Sequence, residues 1–148
     1  MLSSPYVRPV RRAGLAVALL LIPQIALAQS CNVDIAAVEK SIARLEASYA
    51  GILSDIDCDA PVKKAHRLMC DSSDQPAAEI WRMGRLDDLA WVYAYENATK
   101  SEVDREDPPR DSDFIAKRDA CTDILCLCNE LIAHTNASLG GESPYSGG

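Results

Sequence analysis

Six cysteines, two histidines and two short aspartate runs are the residues of this chain best equipped for chemistry. Cys31, Cys58, Cys70, Cys121, Cys126 and Cys128 can pair as disulfides or, as thiolates, hold a metal. Cys126-Leu127-Cys128 with His134 nearby is the arrangement that would offer zinc both thiolate and imidazole. Its spacing is not C-x2-C, and no second C-x2-C or H-x3-5-H pair closes a tetrahedral site, so the sequence assigns no metal centre. There is also no C-x-x-C-H for haem attachment and no C-x-x-C redox pair. The remaining role for an even set of cysteines is a disulfide framework, provided the chain leaves the reducing cytosol.

The acid–base inventory is thin. Neither His66 nor His134 sits in a Gly-rich nucleophile elbow or an H-E-x-x-H frame. His66 follows Lys63 and Lys64 and reads as a solvated surface side chain. Asp87 and Asp88 are neighbours, ~100° apart on a helix, and cannot face each other as a catalytic pair. Asp55, Asp57 and Asp59 have the alternation of a calcium loop but lack its glycine and terminal bidentate glutamate, so they read as a capped, solvated turn. The expectation is a protein with no enzymatic activity and no cofactor.

The segment that carries the chain out of the cytosol is at its start. Residues 1–28 contain no acid, carry Arg8, Arg11 and Arg12, and then run apolar from Ala13 to Ala28. Ala26-Leu27-Ala28 fits the small-x-small rule of signal peptidase, so residues 1–28 read as a signal peptide and the product as periplasmic or secreted. Gln29, two residues before Cys31, argues against lipid attachment there. Residues 29–148 keep all 22 Asp and Glu but 12 of the 15 Lys and Arg, a formal charge of −10. That balance excludes a nucleic-acid binder working through a basic face. No apolar run of ~20 residues follows position 28, which excludes a membrane span there.

Four helical stretches emerge and no strand, giving an all-α fold: a small disulfide-stapled bundle of about four helices. Within 32–53, Val38, Ile42, Leu45, Tyr49 and Ile52 form one apolar stripe. Asp59-Ala60-Pro61 reads as a cap-plus-proline start for a short helix over 60–69 that presents Val62, Ala65 and Leu68 or Met69. Ser72–Pro76 gives a second such start, for a long helix over 77–103. On that helix Met83, Leu86, Leu89, Ala90, Tyr93 and Ala94 form the core face. Trp81, Trp91 and Tyr95 share another sector with Asp87 and Asp88. This second face is either covered by another element or, as Trp81, Trp91, Tyr95 and Asp88, a contact patch for a partner. Residues 104–113 carry two prolines and seven charges and read as a solvated loop. Ser112 or Asp113 then caps a last helix through Phe114, Cys121, Leu125, Cys128 and Ile132, and the Gly/Ser-rich residues 140–148 read as a disordered tail.

These helices constrain the cysteines. A helix over 61–70 holds its ends ~14 Å apart, beyond the ~7 Å Cα separation a disulfide tolerates, which argues against pairing Cys58 with Cys70. Cys121 and Cys126 are too distant on a continuous helix, so either the helix breaks between them or both reach elsewhere. The favoured arrangement sends Cys58 and Cys70 into the Cys121–Cys128 cluster, with Cys31 taking the remaining partner.

Cys58, the helix to Met69-Cys70-Asp71, Leu86-Asp87 followed by Tyr93 or Tyr95, the 104–113 loop and Arg118-Asp119-x-Cys121-x4-Cys126 come in an order that resembles the LprI-like lysozyme-inhibitor family. On this resemblance residues 57–139 form the family domain, preceded by an N-terminal helical extension over 29–56. Phe114 stands where the family pattern has tryptophan, and Leu131-Ile132-Ala133-His134 where it has Tyr-x-x-Arg. The resemblance implies an exported protein that binds and blocks lysozyme or a related cell-wall hydrolase. The −10 charge is compatible, since it would speed encounter with a cationic partner. The alternative is a periplasmic helical protein that binds a small ligand in an apolar cavity, or a metal.

Overall fold

The computed structural model describes residues 31–71 and 79–146, so the signal segment, the Ser72–Pro76 cap and the last two residues lie outside it. Among the described residues the fold is all α: α1 (Ile35–Tyr49), α2 (Lys64–Asp71), α3 (Glu79–Thr99), α4 (Ser112–Ala120) and α5 (Ile124–Ser138). Helix α3 is the central element, packed against α1, α5 and α2, while α4 joins α2 to α5. No helix among the described residues is long and apolar enough to cross a membrane.

Helices α1, α4 and α5 start where an aspartate side chain takes up free N–H groups. Asp34 accepts from the N–H groups of Ala36 and Ala37 to cap α1, and Asp111 from those of Asp113 and Phe114 to cap α4. Helix α1 ends before Gly51, whose φ of 87° suits a residue without a Cβ. Arg105 then donates to the Ala50 and Ser48 carbonyls, placing a cation on the exposed carbonyl end of α1. The α1 stripe is as the periodicity predicts: Val38, Ile42, Leu45 and Ile52 are buried. So are Met83, Leu86, Leu89 and Ala90 of α3, each large side chain contributing about 1.5–3 kcal/mol through burial. Tyr93, expected in that face, is 40 % exposed. Helix α1 shares one core with α3 and α5 through Val38, Ile42 and Leu45, and Ile52 and Ile56 of the segment after it join the same cluster.

The three disulfides are Cys31–Cys128, Cys58–Cys70 and Cys121–Cys126. This corrects the pairing expected from helix lengths. Helix α2 begins at Lys64, not at residue 60. Residues 58–63 instead fold back: Asp57 accepts from the Asp59 N–H, and the Arg67 guanidinium donates to the carbonyls of Pro61 and Val62. The return brings Cys58 within 5.3 Å of Cys70 between Cα atoms and leaves Val62 exposed rather than in the core. The expected last helix is two helices. Cys121 is extended, its N–H closes α4 on the Arg118 carbonyl, and Asp123 accepts from the Cys126 N–H to begin α5. The break sets Cys121 and Cys126 5.5 Å apart, and α5 restarts with Leu127, Cys128, Leu131 and Thr135 inward and Leu125 outward.

The expected disordered tail is also corrected over its described part. Tyr145 is buried, its hydroxyl donates to Thr135 Oγ1 at 2.8 Å, and its carbonyl accepts from the Asp34 N–H. A buried tyrosine with its hydroxyl satisfied anchors residues 142–146 across the start of α1.

Peptide mapping under non-reducing conditions is expected to return these three pairs. The chain-entropy estimate for a closed loop gives about 4.7 kcal/mol for the 97-residue separation of Cys31–Cys128, against about 3 for Cys58–Cys70 and about 2 for Cys121–Cys126. Replacing Cys31 and Cys128 by serine should therefore lower stability most in denaturant titration, and an equal loss from all three pairs would contradict this order.

Candidate functional site

The charged residues singled out in the sequence come together inside the bundle as two linked polar networks. The first is built by α4. Arg118 is 3 % exposed and aims both terminal nitrogens at Asp55, Nη1 to Oδ1 at 2.8 Å and Nη2 to Oδ2 at 2.7 Å. Its Nε and Nη2 also donate to Asp119 Oδ1, and its guanidinium carbon stands 5.7 Å from the Phe114 ring centroid. Asp119 in turn receives Lys63 Nζ at 2.6 Å and meets His66 Nε2 at 3.0 Å, so the Arg118-Asp119 pair fastens α4 to α2. His66 is thus a partly buried link, because its neighbour across the helices is a carboxylate. Asp55 is likewise a clamp on Arg118, and Asp57 alone supplies the local turn.

The second network joins α3 to α5. Asp87, 4 % exposed, accepts from Thr135 Oγ1 at 2.8 Å and lies 2.8 and 3.0 Å from His134 Nδ1 through its two oxygens. Tyr145 completes the chain through Thr135. The imidazole stacks on Phe114 at 3.9 Å between centroids, with Trp91 at 5.3 Å, and its Nε2 faces Asp111 Oδ2 at 3.5 Å. Asp88 points to Arg110 of the 104–113 segment at 3.6 Å, and Arg110 also donates to the Leu53 carbonyl. Between the networks lies a cavity of about 20 Å³, lined by Asp55, Asp87, Asp88, Trp91, Arg110 and His134, which has room for a single water.

The proposed aromatic and acidic contact patch is divided by this arrangement. Trp91 is half-buried and donates its Nε1–H to the Pro109 carbonyl at 3.0 Å, and Asp88 is 14 % exposed beneath Arg110. The 104–113 segment, expected to be solvated throughout, covers both. Trp81 is half-buried, and Tyr95, 37 % exposed, is the patch residue most open to a partner. Of the family-motif residues, Leu86 is core, while Asp87, Arg118 and Asp119 serve the networks. Cys126 and Cys128 are in disulfides with different partners and His134 is held by Asp87, so the Cys126/Cys128/His134 metal arrangement is not assembled. Thr135, Tyr145 and Arg110 were not singled out from the sequence. The lone aromatic in a Gly/Ser tail was the signal that could have marked Tyr145.

No protein-family model, curated protein or solved structure matches the chain.

The networks shift their groups in opposite senses. Burial, then the charges of Asp87 and Asp55, push the Asp88 carboxyl up to about 7 against the pull of Arg110 and a hydrogen bond with Ser54. Burial alone would lower the His134 pKa, but the hydrogen bond and charge of Asp87, with Asp111, outweigh it and raise it. Burial works against ionised Asp119 too, yet Lys63, Arg118 and His66 hold it down to about 2, and Arg118 similarly lowers Asp55. Asp88 and His134 are raised in the fold, so their contributions are complete at low pH and lost as pH rises, for Asp88 between about 4 and about 7. Asp119 and Asp55 are lowered, so theirs are lost below pH ~4. Stability is therefore expected to peak on the acid side of neutrality. Asp88→Asn, by removing the cost of a buried charge, should raise stability at pH 8 by roughly 1–3 kcal/mol and far less at pH 5. Thermal unfolding across pH checks this, and an unchanged alkaline limb in the variant would contradict it.

Proposed function

We propose that this protein is an exported binding protein that docks a cationic partner through an acidic surface and acts as an inhibitor of lysozyme or a related cell-wall hydrolase. The three disulfides fit an oxidising compartment, in keeping with the signal-like residues 1–28. The order of cysteines and of Leu86-Asp87 and Arg118-Asp119 supports the resemblance to the LprI-like family.

The observation that carries the reading is a fixed acidic ridge. Residues 102–107 expose Glu102, Asp104, Glu106 and Asp107, yet their backbone is tied down. Arg105 holds the end of α1, its carbonyl accepts from the Leu53 N–H, and Asp104 accepts from the Glu106 N–H. Leu53, 54 % exposed, stands beside the ridge as an apolar anchor. Fixed carboxylates around an apolar side chain suit a basic protein surface, because charge steers the encounter and burial of the anchor slows release.

The purified chain from Gln29 onward should slow lysozyme lysis of cell walls in proportion to its molar ratio, with the effect weakening as salt is raised. A variant with Glu102, Asp104, Glu106 and Asp107 changed to Gln or Asn should keep its unfolding temperature and lose at least tenfold in inhibition. No inhibition at molar excess, or full inhibition by the variant, would overturn the proposal.

A further inference from the structure

A groove of about 530 Å³ runs between α1 and the strap anchored by Tyr145. Its volume lies within the range of small-ligand sites. One wall is Lys40, Ser41 and Arg44 of α1, the floor includes Tyr93 of α3, and the other wall is the strap with Ser143 and Ser146. Both walls are fixed. Ile42 and Leu45 bury the opposite side of α1, and the strap is held by the Tyr145–Thr135 and Asp34–Tyr145 hydrogen bonds.

The charges in this groove run against those of the molecule. Every other described arginine has a partner: Arg82 and Arg85 meet glutamates of α1, Arg110 and Arg118 meet aspartates, and Arg67 and Arg105 cap carbonyls. Among the described residues Arg44 has none, and neither has Lys40 one turn before it on the same face. Glu142 also lines the groove but forms no ion pair with either, so the local balance is one positive charge in a strongly acidic protein. Tyr93 offers an exposed ring, steadied by Tyr49 edge-on at 6.4 Å, and the groove continues along Arg44, Ser48 and Tyr49.

We propose that this groove binds a short carboxylate-bearing saccharide. The Arg44 guanidinium fork and the Lys40 ammonium receive the carboxylate, as planar and point donors do respectively. The serine hydroxyls match sugar hydroxyls, and the Tyr93 ring supplies a flat apolar surface for the C–H face of a pyranose. The overall negative charge repels a long polyanion, which selects a ligand of one to three sugars over a polymer.

The test uses the purified chain from Gln29 onward and tri-galacturonate, with maltotriose as the uncharged control of equal length. Calorimetry should show tri-galacturonate binding with a Kd below ~1 mM and maltotriose at least tenfold weaker. Amide shift changes should fall at Ser41, Arg44, Tyr93 and Ser143. The exposed double variant Lys40→Gln/Arg44→Gln should keep the unfolding temperature and lose tenfold or more in affinity. Failure of tri-galacturonate to bind, equal binding of maltotriose, or full binding by the double variant would each overturn the proposal. The acidic-ridge variant binding tri-galacturonate normally supports it as a site separate from the lysozyme-directed surface.

Discussion

A guanidinium buried to 3 % exposure must be neutralised where it lies, and most of the architecture follows from how Arg118 meets that requirement. Asp55 is brought in from the segment after α1, and Asp119 adds the second carboxylate from the adjacent position. Asp119 in turn needs Lys63 and His66, which fixes α2 against α4. Removing any one carboxylate leaves a buried charge incompletely paired, a loss of ~3–5 kcal/mol where such pairs have been broken. The disulfides then act on elements already registered by charge. Cys58–Cys70 closes the fold-back before α2, Cys121–Cys126 closes the break after α4, and Cys31–Cys128 ties the start of the described chain to α5.

The Asp87–His134–Thr135–Tyr145 chain applies the same logic to α3 and α5, with a different consequence. Its groups are hydrogen-bonded in series, so the carboxylate at the centre of the bundle is satisfied without a permanent cation. The arrangement of imidazole against carboxylate is familiar from catalytic sites, but here Nε2 is enclosed among Phe114, Trp91 and Asp111. Its geometry serves cohesion: it binds two helices, the loop over them and the C-terminal strap. The partner-facing features lie elsewhere, on the acidic ridge and in the groove beside α1, where exposed side chains rest on backbone that the core holds still.

The legibility of this fold varies with the range of the interaction. Period-3.6 patterning places the core of α1 and α3, because Val38, Ile42, Leu45, Met83, Leu86 and Leu89 repeat on a single face. The break between α4 and α5 was one of two arrangements the Cys121 and Cys126 spacing allowed, and it was not the favoured one because apolar spacing ran through it, although Thr122-Asp123 is an adequate helix start. Reading Asp59-Ala60-Pro61 as a cap placed α2 four residues early, and that single shift excluded the Cys58–Cys70 pair. Asp55 with Arg118, 63 positions apart, and Asp87 with His134, 47 apart, carry no local signal at all. Such pairs are fixed by packing, and a single sequence does not show which carboxylate a buried cation will choose.

The account rests on the buried Arg118–Asp55 clamp being architectural and not a surface for partners. A double-mutant cycle between Asp55→Asn and Arg118→Met, read by denaturant unfolding at pH 7, tests it directly. Each single change should cost ~3–5 kcal/mol, and the double variant should recover much of the loss, a coupling of at least ~2 kcal/mol. Single changes that cost little, or costs that add within ~0.5 kcal/mol, would show that the buried clamp does not hold the fold together.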